Sequence, residues 1–129
     1  MACWSTWAAL KRQYLRIGFG VHGAEHLDLT AQPMAAVTAD LDACTEDYRR
    51  EIGEPPLHFA YPYNRSNLGL RRSLSERGFR SALTSGDRIL IGKWTDALDI
   101  PRVDAPSDFR LLSHWSLGAF YMRGVKVHD

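Results

Sequence analysis

The segment from Met34 to Ile52 constrains this chain most. Met34, Val37, Leu41, Cys44, Tyr48 and Ile52 fall at spacings of three and four, one apolar face of a long helix. Pro33 sits at its start, in the first turn, where a missing N–H costs nothing. Gly53 and the Pro55-Pro56 pair end it. His58-Phe59-Ala60-Tyr61 follows at once as a short buried strand, closed by Pro62. A helix delivered directly into a strand sets a pattern that the rest of the chain repeats.

Upstream, Trp4, Trp7, Leu10, Tyr14 and Ile17 predict a helix with one apolar face, started by Ser5 or Thr6 and ended near Gly18. Residues 17–22 read as a buried strand whose glycines permit close approach by a neighbour. Downstream, a helix over about Asn67–Arg77 turns Leu70 and Leu74 inward and stops at Gly78. Phe79–Leu83 predicts a third strand. Residues 84–98 read as a loop in which Arg88–Ile91 pairs briefly. Asp99–Val103 is an extended piece at a sheet edge, because Pro101 has no N–H to donate. Leu112, Trp115, Ala119 and Met122 predict a last helix, weakened by Gly118. Strands alternating with helices imply an α/β fold with parallel pairing and right-handed crossovers. In such folds reactive groups gather at the carboxyl ends of the strands.

Two segments would fall there. One is His22-Gly23-Ala24-Glu25-His26, after the first strand; the other is the Tyr61-Pro62-Tyr63 turn, after the second. Neutral imidazole is a common ligand of zinc, and two histidines four apart in a loop can approach one ion from the same side. A catalytic ion takes three protein ligands, keeps a position for water, and lowers that water's pKa to about 7. The same five residues also fit H-x-x-E-H, the inverted zinc-peptidase pattern, which needs a helix to align all three side chains. Gly23 within the segment and the strand before it disfavour that helix, and leave Glu25 a solvated loop residue. The bland alternative is two surface histidines in a loop.

With 129 residues the chain makes a single domain. Its formal charge of +1, from 16 basic and 15 acidic residues, argues against nucleic acid held by electrostatics. No apolar run reaches the roughly 20 residues of a membrane span, and the N-terminus lacks a signal-peptide layout. A soluble, cytoplasmic chain is the expectation for the sequence as it stands. Cys3 and Cys44 form no motif; a disulfide between them stays open, free buried thiols are the expectation, and neither requires an oxidising compartment.

The chain resembles the polysaccharide deacetylases of carbohydrate esterase family 4. Gly18-Phe-Gly-Val-His22-Gly-Ala-Glu-His26-Leu27 resembles that family's strand and H-[S/T]-x-x-H motif, with Gly23 in place of Ser or Thr. Phe59-Ala60-Tyr61-Pro62-Tyr63-Asn64 resembles its A-Y-P-Y-G motif, and Arg77–Leu83 and Ile100-Pro-Arg-Val103 resemble later strands. The resemblance implies a partial, distorted (β/α) barrel and a metal-dependent hydrolase that removes N- or O-linked acetyl groups from an oligo- or polysaccharide. His22 and His26 would be ligands of Zn²⁺ or another divalent ion. The backbone N–H of Tyr63 would hold the oxyanion, and Tyr61, Pro62 and Tyr63 would line the sugar groove, although plain packing explains Tyr61 equally well. Such proteins often act at the cell envelope.

The departures are as informative. The family's first motif supplies two aspartates, the base and the third ligand, on a strand before the histidines. No aspartate or glutamate precedes His22 here. The arginine of the family's other branch is replaced by Ala60, and His114 is more plausible as a helix residue than as the late catalytic histidine. Asp96, Asp99 and Asp104 read as loop charges. The expectation is an N-terminally truncated member, residues 1–129 being the C-terminal portion of a catalytic domain. It would be poorly active alone, and would pair with a second copy through open strand edges. A remnant that binds carbohydrate without hydrolysing it is the alternative.

Overall fold

The computed structural model describes residues 4–14, 17–85 and 92–102. The expected last helix, His114, Asp104, Cys3 and the Arg88–Ile91 pairing lie outside them. Helix α1 is Trp4–Gln13, α2 is Met34–Ile52, strand β1 is His58–Ala60, α3 is Leu68–Glu76, β2 is Ser81–Ser85 and β3 is Ile100–Arg102. The strands form a parallel sheet in the order β1-β2-β3, so that Pro101 stands on the terminal strand of the described sheet. Helix α2 leads into β1 and α3 joins β1 to β2, the α/β alternation that the sequence predicts.

Helix α2 is the scaffold. Pro33 is its cap rather than a residue of its first turn, with extended ψ of 148°. Gly53 closes it in the left-handed conformation (φ 89°), donating to the Arg49 carbonyl. Val37, Leu41, Cys44 and Tyr48 are buried along one face. They join Val21, Leu29, Phe59, Tyr61, Leu70, Leu74, Phe79 and Ala82 in one core. Asn67 caps α3 by accepting from the Leu70 N–H at 2.8 Å.

Three further expectations are corrected. Helix α1 ends at Gln13, well before Gly18, and buries no residue; Trp4, Trp7 and Tyr14 stay exposed, although Trp7 packs edge-on against Phe19 at 5.5 Å. The strand expected over 17–22 shrinks to one parallel bridge, Val21 to Phe59, held by Val21 N–H to the His58 carbonyl and Ala60 N–H to the Val21 carbonyl, both 2.9 Å. The Phe19 carbonyl is taken instead by the Tyr48 hydroxyl. Gly20 permits the approach, since a Cβ there would lie 2.8 Å from the His58 carbonyl oxygen. The third strand starts two residues later than expected. Phe79 N–H still closes α3 on the Leu74 carbonyl, and Arg80 and Ser81 both donate to Leu57.

Candidate functional site

Val21 pairs in parallel with Phe59, so the residues after Val21 and those after β1 emerge side by side at the carboxyl ends of adjacent strands. The histidine loop and the Tyr61–Asn64 turn meet there. The rings of His22 and His26 stand edge to face with centroids 4.8 Å apart, and the Tyr63 ring lies 5.0 Å from that of His26. His22, His26 and Tyr63 are all exposed.

His22 is oriented by the strand beside it. Its Nδ1 lies 2.7 Å from the Ala60 carbonyl oxygen. A carbonyl only accepts, so Nδ1 donates, and in the neutral ring this leaves Nε2 as the acceptor, the tautomer in which histidines bind a metal through Nε2. His26 takes a left-handed backbone, φ 53°. Residues 22–28 are not helical. The alignment that an H-x-x-E-H peptidase needs is therefore not formed. The side chain of Glu25 is exposed, as a solvated loop residue should be.

Asp40 of α2 escaped the sequence reading. It is 5% exposed, and its carboxylate accepts from the Glu25 N–H at 2.9 Å and the Ala24 N–H at 3.1 Å. Gly23 lies against it with φ 78°, and a Cβ there would fall 2.8 Å from Oδ2. One signal was available. Asp40 falls on the buried side of α2, and positions 36, 37, 43 and 44, one turn away, hold no Lys or Arg to neutralise it.

Asp28 links the two loops. It accepts from Thr30 Oγ1 at 2.6 Å and from the Arg65 guanidinium beyond the turn. The Thr30 hydroxyl first, then Arg65, hold its carboxyl below the usual range, against the opposing effect of burial. The turn itself is sharp, with Tyr63 and Asn64 at φ 54° and 57°.

The structure divides the turn's residues. Tyr61 is fully buried, and its hydroxyl donates to the Leu98 carbonyl at 2.6 Å. Burial raises its pKa, and the Asp99 carboxylate adds to the rise. Lining a groove needs exposed surface, so Tyr61 takes the packing role and Pro62, also buried, supports the turn. Tyr63, 59% exposed, alone presents an aromatic face. Asp96 and Asp99 both accept from Arg71, and Asp99 also from Ser66, as structural loop charges.

The donor chemistry of the pair fits a divalent ion, since both side chains are imidazoles and Nδ1 of His22 is already engaged by a backbone carbonyl. Among the described residues, no group of three or more His, Cys, Asp or Glu could hold a metal ion. Two imidazoles are one protein ligand short of the three that a catalytic ion takes.

Residues 5–82 match the family model for polysaccharide deacetylase, and the chain belongs to that family. None of the curated proteins matches the sequence. Solved structures with the same fold include the Streptococcus pyogenes deacetylase PplD in complex with acetate, at TM-score 0.71 and 15% identity over 79% of this chain and 44% of that one. A de-N-acetylase from Aggregatibacter actinomycetemcomitans aligns at TM-score 0.69 and 15% identity, covering 89% of this chain and 53% of that one. IcaB from Ammonifex degensii aligns at 0.69 and 20%, covering 90% and 53%. The chain therefore spans about half the length of these structures or less. Among the described residues no helix is long and apolar enough to cross a membrane.

Proposed function

We propose that this chain serves the hydrolytic removal of acetyl groups, N- or O-linked, from an oligo- or polysaccharide, with His22 and His26 as ligands of Zn²⁺ or another divalent ion. The observation that carries this reading is the convergence of the two rings, 4.8 Å apart, at the carboxyl ends of paired parallel strands in a chain of the deacetylase family. A divalent ion there would supply Lewis-acid polarisation of the acetyl carbonyl. The chain's own groups do the rest. The Ala60 carbonyl keeps Nε2 of His22 free to ligate. The Tyr63 backbone N–H donates to the oxyanion as the carbonyl carbon becomes tetrahedral. Its exposed ring meets the apolar face of a pyranose, while Tyr61 and Pro62 brace the turn from within.

Among the described residues no third His, Cys, Asp or Glu gathers with His22 and His26 into a group that could hold a metal ion, so no base is assigned beside them. General-base help is worth about 10²–10⁴-fold, so the chain by itself should hydrolyse slowly. The test is acetate release from N-acetylchitooligosaccharides and acetylated xylooligosaccharides across a Zn²⁺ titration. Slow, metal-dependent release lost in His22→Ala and His26→Ala supports the reading. Release that both variants retain refutes it, and rapid turnover by the chain alone refutes its dependence on a missing base. Saturable sugar binding without release would favour the binding-only remnant. Pairing of two copies through strand edges belongs to the same proposal and is read by light scattering.

A further inference from the structure

The buried carboxylate of Asp40 needs a reason to be where it is. Removing a carboxylate from water costs several kcal/mol unless its oxygens are paired. Among the described residues no cation forms a salt bridge with it, and its partners are the backbone N–H groups of Ala24 and Glu25. Both belong to the stretch between the two histidines. That stretch includes Gly23 at φ 78° and is closed by His26 at φ 53°. A left-handed non-glycine residue costs about 1–2 kcal/mol, so His26 holds its backbone only if something outside the loop over-determines it. Convergent N–H groups gripping an anion are such a constraint.

The two imidazoles also differ in their anchorage. His22 has its own hydrogen bond to Ala60, whereas His26 makes ring contacts with His22 and Tyr63. The position of His26 therefore depends on the loop.

We propose that Asp40 is a positioning residue: through Ala24 and Glu25 it fixes the loop so that the His26 ring converges on His22. The relevance to metal binding rests on the function proposed above, but the positioning does not. Gly23 is the counterpart of the same device, because a side chain there would push the carboxylate off its N–H donors.

The test uses the whole chain with Asp40→Asn, Asp40→Ala and Gly23→Ala, the last disturbing the carboxylate from the loop side if the Asp40 variants fold poorly. The first readout is metal-free: the nuclear Overhauser contact between the His22 and His26 rings. It should be present in the wild type and lost in folded Asp40→Asn, while the His22–Ala60 contact persists. The second is Zn²⁺ affinity, which should fall about 10–100-fold, as when partners that orient metal ligands are removed. A role in stability alone would lower the melting temperature and leave both readouts of the folded protein unchanged. An unaltered ring contact in folded Asp40→Asn overturns the proposal, as does its absence from the wild type. Wild-type chain without His-dependent Zn²⁺ affinity, yet with a ring contact that Asp40→Asn abolishes, removes the metal reading and leaves the positioning intact.

Discussion

The Tyr61 hydroxyl donates to the Leu98 carbonyl at 2.6 Å, tying the segment after β1 to the segment before β3. Strand β2 lies between those strands, and the Tyr61 N–H also bonds to Leu83 on it. One residue therefore fastens the end of β1 to β2 and to the segment that enters β3. Tyr61→Phe keeps the ring and removes the bond. A neutral hydrogen bond contributes about 1 kcal/mol net, and Leu98 is only half-buried, so water can take up its carbonyl. Urea denaturation should show a loss of about 1 kcal/mol, with the His22–His26 ring contact unchanged.

Gly23→Ser would restore the residue type of the family motif that this chain resembles, yet it should destabilise. The backbone there is left-handed, and the new Cβ would meet Asp40 Oδ2 at 2.8 Å. That oxygen sits on a carboxylate held by two backbone donors and is not free to swing away. Side chains at positive φ cost about 1–2 kcal/mol before the clash is counted. Thermal unfolding should register a drop of at least that size, and a Gly23→Ser protein as stable as the parent would mean that the loop re-forms around the hydroxyl.

These two sites show what was readable. Helix α2 was legible because its apolar period and its terminators agree, and the two histidines because a loop after a strand is where an α/β fold gathers its chemistry. Gly20 was legible as a point of close approach. Asp40 was not, because an acidic residue between apolar positions looks solvated until the loop that it grips is folded against it. The extent of pairing before His22 was also hidden. Whether residues 17–20 form a strand depends on where the Phe19 carbonyl bonds, and the Tyr48 hydroxyl, 29 residues away, decides that. Helical period located the aromatic stripe of α1 but gave no sign that the described structure leaves much of it uncovered.

Phe59 joins the sheet to the core. It is 1% exposed and meets Tyr61 and Phe79 edge to face at 5.3 and 5.8 Å, while its backbone pairs with Val21. Phe59→Ala removes a large buried ring and both aromatic contacts, for which losses of about 3–5 kcal/mol are usual. Much of a small domain's stability is of that order. The variant should unfold at markedly lower denaturant and lose the His22–His26 contact with it, because the bridge that places His22 beside Ala60 runs through this residue. Circular dichroism and chemical denaturation read the first effect; the ring contact reads the second.

Cys44 gives the chain an alkaline limit. It is a buried free thiol on α2, and its Sγ lies 3.2 Å from the Leu41 carbonyl. Burial pushes its pKa up from 9.0 to about 11, and the Asp40 carboxylate adds to the rise. The sign follows from the protons bound. Between pH 9 and 11 the unfolded chain has lost the thiol proton and the folded chain keeps it, so ionisation favours the unfolded state as pH rises. Stability should therefore be level with respect to this group below pH 9 and fall by about 2–3 kcal/mol through that window. Cys44→Ala should lose stability at neutral pH through the small cavity, yet lack this part of the alkaline decline. The same protected thiol should resist iodoacetamide at neutral pH in the native protein and react once urea unfolds it. Equal alkaline slopes in parent and Cys44→Ala would place the decline on other groups.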